Sequence, residues 1–246
     1  MPLPVGPQTG YQPTPAHVAA AWSERTRGLL VASPANPTGT LLDPEALAAL
    51  AGEVSTRGGT LLVDEIYHGL TYGTDATSAL SLGEDVFVIN SFSKYFGMTG
   101  WRLGWLVAPA RFVREIEKLA QNLYIAPSTI AQHAALAAFR PDTLAILEAR
   151  RVEFSRRRDI LLPGLRALGF GIAAEPQGAF YVYADSSALD GDSFRLAGRL
   201  LEEAGVAATP GLDFGANAPE RHMRFAYTVD AARIEEGLAR MRALLG

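Results

Sequence analysis

Lys94 stands in an unusual stretch, Ser91-Phe-Ser-Lys94-Tyr-Phe-Gly-Met-Thr-Gly-Trp-Arg102-Leu-Gly104. It follows the apolar run Val86-Phe87-Val88-Ile89 and sits among small hydroxyl residues and glycines. At the end of a buried strand, an isolated ammonium is costly, so the amine must shift its pKa or react covalently. Taken alone, a surface lysine on a glycine-rich turn would be the commoner case. Three further segments carry groups that could act with it. Asn36-Pro37-Thr38-Gly39 offers an amide on a turn, and Asp64-Glu65-Ile66-Tyr67 offers a carboxylate and a phenol. Arg224-Phe225-Ala226-Tyr227 offers a guanidinium, although a lone arginine in a strand is more often a surface residue.

The elements around these groups predict how they are positioned. Leu29 to Ala32, Thr60 to Val63, Val86 to Ile89 and Leu103 to Val107 read as short, uniformly apolar strands. Asp43-Pro44 starts a helix as N-cap and first-turn proline; Leu47, Leu50, Ala51 and Val54 form its buried face. Gly58-Gly59 stops it. Phe112, Ile116, Leu119 and Leu123 mark an amphipathic helix, and Ser128 to Phe139 another. Apolar strands alternating with helices predict an α/β layer with a largely parallel sheet. Ligands gather at the carboxyl ends of such strands, and Asn36, Asp64 and Lys94 all fall just after one. A shared site is therefore expected.

The character changes after Pro141. Residues 142–162 predict a long helix whose arginines line a solvated face, with Arg158 close enough to the apolar stripe to need pairing. Strands over 178–184 and 223–227 follow, with a helix facing Phe194, Ala197 and Leu201 between them. A last helix buries Ile234, Leu238, Met241 and Leu245. The expected organisation is a large domain over 1–140 and a smaller α+β domain over 141–246. Residues 1–16, rich in proline and glycine, read as an extended lead-in.

Composition narrows the functional classes. The chain has no cysteine, which removes disulfides, thiol nucleophiles and thiolate-held metals. His17, His68, His133 and His222 lack metal-like spacing and read as surface or structural residues. A net charge of −4 gives no basic face for nucleic acid. The N-terminus lacks the basic and apolar regions of a signal peptide, and no apolar run is long enough to span a membrane. A cytoplasmic protein is expected.

Together these segments closely resemble the class I/II aminotransferases, fold type I enzymes that use pyridoxal 5'-phosphate. The family's attachment pattern of small residue, apolar residue, small residue and lysine, with arginine eight positions on, is met from Ser91 to Gly104. Asn36 to Gly39, Asp64 to Tyr67 and Arg224 to Tyr227 match its other hallmarks in the same order. The resemblance implies a large α/β cofactor domain with a mostly parallel sheet and a smaller C-terminal α+β domain. It implies that Lys94 forms the Schiff base with the cofactor and then shuttles the proton, while Asp64 pairs with the pyridine nitrogen. Tyr67 and Asn36 would donate to the phenolic oxygen, and Ile66 would pack on the ring. Arg102, Ser91 and Ser93 would hold the phosphate, and Arg224 the substrate α-carboxylate. Phe180 or Tyr181 would lie near the substrate, and Tyr124 near the partner's site in a homodimer.

One departure stands out. Members of the family carry a long segment ahead of the Asn-Pro-Thr-Gly motif, bearing an N-terminal arm, phosphate donors and the aromatic that stacks on the cofactor. Here the motif begins at residue 36, so the resemblance implies an N-terminally incomplete chain with exposed core surface. No second arginine for a side-chain carboxylate is evident, Gln121 standing in that region. Transamination between an L-amino acid and a 2-oxo acid is the expected activity. Two alternatives stay open: β-elimination on the same fold, and a truncated, non-catalytic paralogue.

Overall fold

Uniformly apolar runs ended by turn residues become strands in the computed structural model, which describes residues 1–246. The chain forms two compact units. One comprises Pro13–Pro34 and Leu41–Arg151; the other comprises Met1–Gln12, Ala35–Thr40 and Val152–Gly246. The long helix beginning at Pro141, the boundary expected from sequence, runs through the division between Arg151 and Val152.

The first unit opens with helix α1 (Pro15–Ala21), where a lead-in extended to residue 16 was expected. Thr14 caps it, reciprocally with His17, and Pro15 is pre-set for the first turn, so the helix starts earlier than composition suggested. Strand β1 (Gly28–Ala32), helix α2 (Pro44–Thr56), strand β2 (Thr60–Asp64), strand β3 (Val86–Ser91) and strand β4 (Gly104–Val107) follow. The sheet order is β1-β2-β3-β4. The first three strands are parallel, and β4 runs antiparallel along the edge. Register sets Leu29, Leu61 and Val86 in one buried row and Val31, Val63 and Val88 in the next. Each such side chain contributes about 1.5–3 kcal/mol on burial. Asp43 caps α2 by accepting from the Ala46 N–H at 2.7 Å, and Leu47, Leu50 and Val54 form the predicted buried face.

The other face of this sheet is thinly covered. Leu30 is 64% exposed and Leu106 of β4 is 43% exposed on it, and Trp105 and Val107, on the opposite side of that edge strand, are exposed as well. Helix α3 (Ala110–Leu123) has the expected amphipathic stripe, but it buries none of its residues, and Leu123 is 78% exposed. Its one ring contact to the sheet is Phe112 on Phe87, 5.4 Å between centres. The periodicity was sound: Phe112 and Ile116 are half-buried, while Leu119 and Leu123 at the far end of the stripe are exposed. Helix α4 (Thr129–Ala138) follows, and then helix α5 (Pro141–Ala167), which passes through Pro163 rather than ending at 162.

The second unit is built on a three-stranded antiparallel sheet of strand β5 (Tyr181–Asp185), strand β6 (Thr209–Pro210) and strand β7 (His222–Ala226), in the order β5-β7-β6. Val182, Ala184, Met223 and Phe225 face the core, and Tyr181, Tyr183, His222 and Arg224 line the opposite face. Helix α6 (Ser193–Ala204) buries Leu196, Leu200 and Ala204 with Ala197, whereas Phe194 and Leu201 are exposed. The helix carries two apolar stripes, and the one spaced at i+4 packs on helix α7 (Ala231–Leu245). Arg158 finds the pairing it needs, bonding Asp159 and the Pro176 carbonyl at 3.1 Å.

Gly39 fastens the Asn36 turn within this unit. Its carbonyl accepts from the Gln177 and Gly178 N–H groups, both at 2.9 Å, and its φ is +68°. A Cβ there would lie 2.5 Å from Pro176 Cβ and 2.7 Å from the Gly178 carbonyl oxygen. Gly39→Ala therefore combines a left-handed backbone with a clash against backbone, and should destabilise by about 2 kcal/mol or more in urea unfolding. An unchanged midpoint would show that the turn is free to move.

Candidate active site

In the first unit the loops after β2 and β3 bring three of the expected residues together. Asp64 ends β2, level in the sheet with Ala32 and Ile89. Its Oδ1 accepts from the Ile66 N–H at 3.0 Å. Burial raises its pKa, opposed by that bond and by the charge of Lys94. Tyr67 is buried on the turn that follows, and Lys94 Nζ lies 5.4 Å from the centre of its ring, a cation–π contact. Buried Glu65 turns the other way, accepting from the Ala79 N–H at 2.7 Å and pairing with His68 at 3.3 Å, which is the structural role expected of that histidine.

The Lys94 loop closes on itself at its base. The Phe92 N–H bonds the Leu103 carbonyl at 3.1 Å, and β3 meets β4 at Ser91 and Gly104. A side chain at Gly104 would reach within 2.7 Å of the Asn90 carbonyl oxygen, so glycine permits the close approach. The Ser91 hydroxyl accepts from the Ser93 N–H at 3.0 Å and donates to the Leu103 carbonyl at 3.4 Å. Arg102 adopts a left-handed conformation, φ 53°, and Nη1 donates to the Thr99 carbonyl at 3.0 Å. Thr99 in turn donates to the Ser93 carbonyl at 2.7 Å. Ser91, Ser93 and Arg102 thus share one loop, with the exposed guanidinium at its rim.

Asn36 and Arg224 meet in the second unit. Arg224 Nη1 donates to Asn36 Oδ1 at 2.9 Å, and Nη2 to the Thr209 hydroxyl at 3.3 Å. Its guanidinium lies over Tyr181 at 4.2 Å and Phe214 at 4.8 Å from the ring centres. Nε is buried with no hydrogen-bond partner. A buried cationic donor left unpaired is an unmet demand for an acceptor, and a carboxylate meets it bidentately. Thr209 and Phe214 escaped sequence reasoning. Phe214 lies on the Gly211–Phe214 turn, and nothing local to Thr209 points to Arg224, with which it pairs across the sheet.

The Asp64 shift has a consequence for stability. Raised above its unfolded value, its carboxyl favours folding fully below the unfolded pKa, and this contribution is lost as pH rises through the folded one. Ionised Asp64 therefore opposes folding at neutral pH. Asp64→Asn should modestly raise the melting temperature at pH 7, and the gain should vanish toward pH 4. A gain independent of pH, or a loss, would contradict this.

Residues 1–241 match the family model for aminotransferase class I and II. The chain is 42% identical over 245 residues to a valine–pyruvate aminotransferase of Mycobacterium tuberculosis, covering 99% of this chain and 63% of that protein. It is 39% identical to an aspartate/prephenate aminotransferase of Thermus thermophilus, covering 98% of this chain and 62% of the other. A crystal structure of an aminotransferase from Mycobacterium tuberculosis superposes with a TM-score of 0.92 at 41% identity, over 98% of this chain and 62% of that one. The chain thus spans a little under two thirds of the length of the relatives it matches.

Proposed function

The chain belongs to the aminotransferase class I and II family, and from that premise we propose that it transfers an amino group between an L-amino acid and a 2-oxo acid with pyridoxal phosphate as cofactor. One observation carries the reading: a lysine amine lies over the Tyr67 ring, and its charge acts on half-buried Asp64, at the carboxyl ends of adjacent parallel strands. The donor set fits the cofactor. Asp64 commits one oxygen to a backbone N–H and keeps the other for a cationic ring nitrogen. Serine hydroxyls and a guanidinium on the Lys94 loop suit a phosphate dianion. When bound, pyridoxal phosphate supplies a carbonyl carbon that takes up amines and an electron-accepting ring.

Each residue then has a stated task. Lys94 Nζ takes the Cα proton of the amino acid and returns it as general acid. Asp64 keeps the ring nitrogen protonated, which its low-polarity surroundings favour once a cation is paired with it. Tyr67 donates its phenolic proton to the cofactor's ring oxygen, and Asn36 donates from Nδ2, its Oδ1 being committed to Arg224. Ser91, Ser93 and Arg102 hold the phosphate. Arg224 takes the α-carboxylate through Nε and the neighbouring Nη, held in orientation by Asn36 and Thr209. The same reading takes the working form to be a cytoplasmic homodimer.

Substrates without a side-chain carboxylate fit best, since Gln121 stands where a second arginine is expected. The relative named for valine and pyruvate makes that pair the first to try. Protein with pyridoxal phosphate and valine should release one equivalent of 2-oxo acid, and should turn over with alanine formation once pyruvate is added. Ammonia and pyruvate from a β-substituted amino acid, with no oxo acid required, would mark elimination instead. Bound cofactor with no 2-oxo acid from any amino acid would overturn the reading.

A further inference from the structure

Tyr95, the neighbour of Lys94, donates its phenolic proton to Glu148 Oε1 on α5 at 2.6 Å. Glu148 Oε2 accepts from Arg151 Nε at 2.8 Å, one helical turn on. Arg151 Nη1 reaches the Thr71 carbonyl at 3.0 Å, in the loop that carries Tyr67. The circuit closes through packing: a Cβ on Gly69 would fall 2.6 Å from the Tyr95 ring, so the ring rests on bare backbone in the same loop. Within it, the Tyr67 carbonyl accepts from the Leu70 N–H at 2.9 Å. The loop after β2 and the loop after β3 are therefore both fastened to one stretch of helix, outside the site they carry.

We propose that Tyr95, Glu148 and Arg151 form a brace that holds the Lys94 amine in register with Tyr67 by pinning both loops to α5. This rests on Lys94 being the reacting amine. Burial and the hydrogen bond to Glu148 push the Tyr95 phenol up to about 12, so it remains a donor throughout the working range. Tyr95 and Arg151 together hold the Glu148 carboxyl below its usual range, so it remains an acceptor. Glu148 is exposed and Arg151 half-buried, and an ion pair with one partner open to solvent adds little to global stability. Their value lies in geometry, because an ångström of misplacement of a reacting group can cost about a hundredfold in rate. These three are positioning residues, since none touches Lys94 Nζ in the structure.

The chain holds only two lysines, Lys94 and Lys118, and Lys118 is paired with Glu115 at 2.7 Å. Pyridoxal phosphate followed by borohydride, read by peptide mass spectrometry, therefore reports Lys94 against an internal control. Glu148→Ala cuts both links of the brace at an exposed helical position that alanine suits. It should lower the Lys94-to-Lys118 labelling ratio several-fold and kcat about tenfold, while KM for the amino acid changes less than about twofold. The melting temperature should move less than about 3 °C. Glu148→Gln, which still accepts from Tyr95, should recover part of the loss, and Tyr95→Phe should reproduce it. Unlabelled Lys94 in the wild type would overturn the proposed function itself. Normal wild-type labelling with equal labelling and kcat in Glu148→Ala would overturn the brace alone.

Discussion

Replacing Lys94 by alanine is expected to remove borohydride-fixed pyridoxal phosphate from that position and to slow transamination by at least about 10⁴-fold. Two functions would be lost together. The amine is the only ε-amino group on the loop that carries the phosphate-binding candidates, and Lys118, on α3, stands outside it. It is also the group proposed to move the Cα proton, and general acid–base catalysis alone contributes about 10²–10⁴-fold. Lys94→Arg sharpens the test, because a guanidinium keeps the charge over the Tyr67 ring but does not give up its proton near neutral pH. Both variants should therefore fail in the amino-acid half-reaction. If arginine retained substantial rate, the role of Lys94 would be electrostatic rather than that of a proton carrier.

What could be read in advance followed the range of the physics involved. β1, β2 and β3 were legible because a parallel strand announces itself as a short apolar run with turn residues after it. The Asp43-Pro44 start of α2 was legible because a cap acts within one turn. The placement of Asp64 and Lys94 after β2 and β3 was legible in the same way, whereas Asn36, named with them, belongs to the other unit. The burial of α3 was not legible: periodicity tells which side of a helix would face a core, not whether anything covers it. In α6, Phe194 and Leu201 of the expected face are exposed, and packing on α7 and the small sheet buries the neighbouring Leu196, Leu200 and Ala204 instead.

Interactions spanning distant segments left no local trace. Arg102 takes a left-handed backbone conformation that its residue type does not announce. Tyr95 and Glu148 are 53 residues apart, and neither flank hints at the other. The aromatic faces around Arg224 come from β5 and from the Gly211–Phe214 turn, joined only once the small sheet has formed. The same pattern governs function here. The groups proposed to react sit at strand ends and are readable, whereas the groups proposed to orient them arrive from elsewhere in the chain.

Arg224 provides the other large effect. Arg224→Gln should raise KM for both the amino acid and the oxo acid by about 10²–10⁴-fold. Two hydrogen bonds to a charged acceptor are lost, each worth about 1.5–3 kcal/mol, and every 1.4 kcal/mol is tenfold. Folding should be little affected, since the guanidinium satisfies only Asn36 and Thr209 and leaves its buried Nε without a partner. Arg224→Lys should fall between, because an ammonium keeps the charge and the stacking on Tyr181 and Phe214 but loses the planar fork. The discriminating substrate is the decarboxylated amine of the same side chain. It has no carboxylate for Arg224 to hold, so its already slow reaction should be unchanged in Arg224→Gln, and the wild-type preference for the amino acid should collapse toward unity. If the amine lost as much rate as the amino acid, Arg224 would be acting through the position of Asn36, and the carboxylate would have to be held elsewhere.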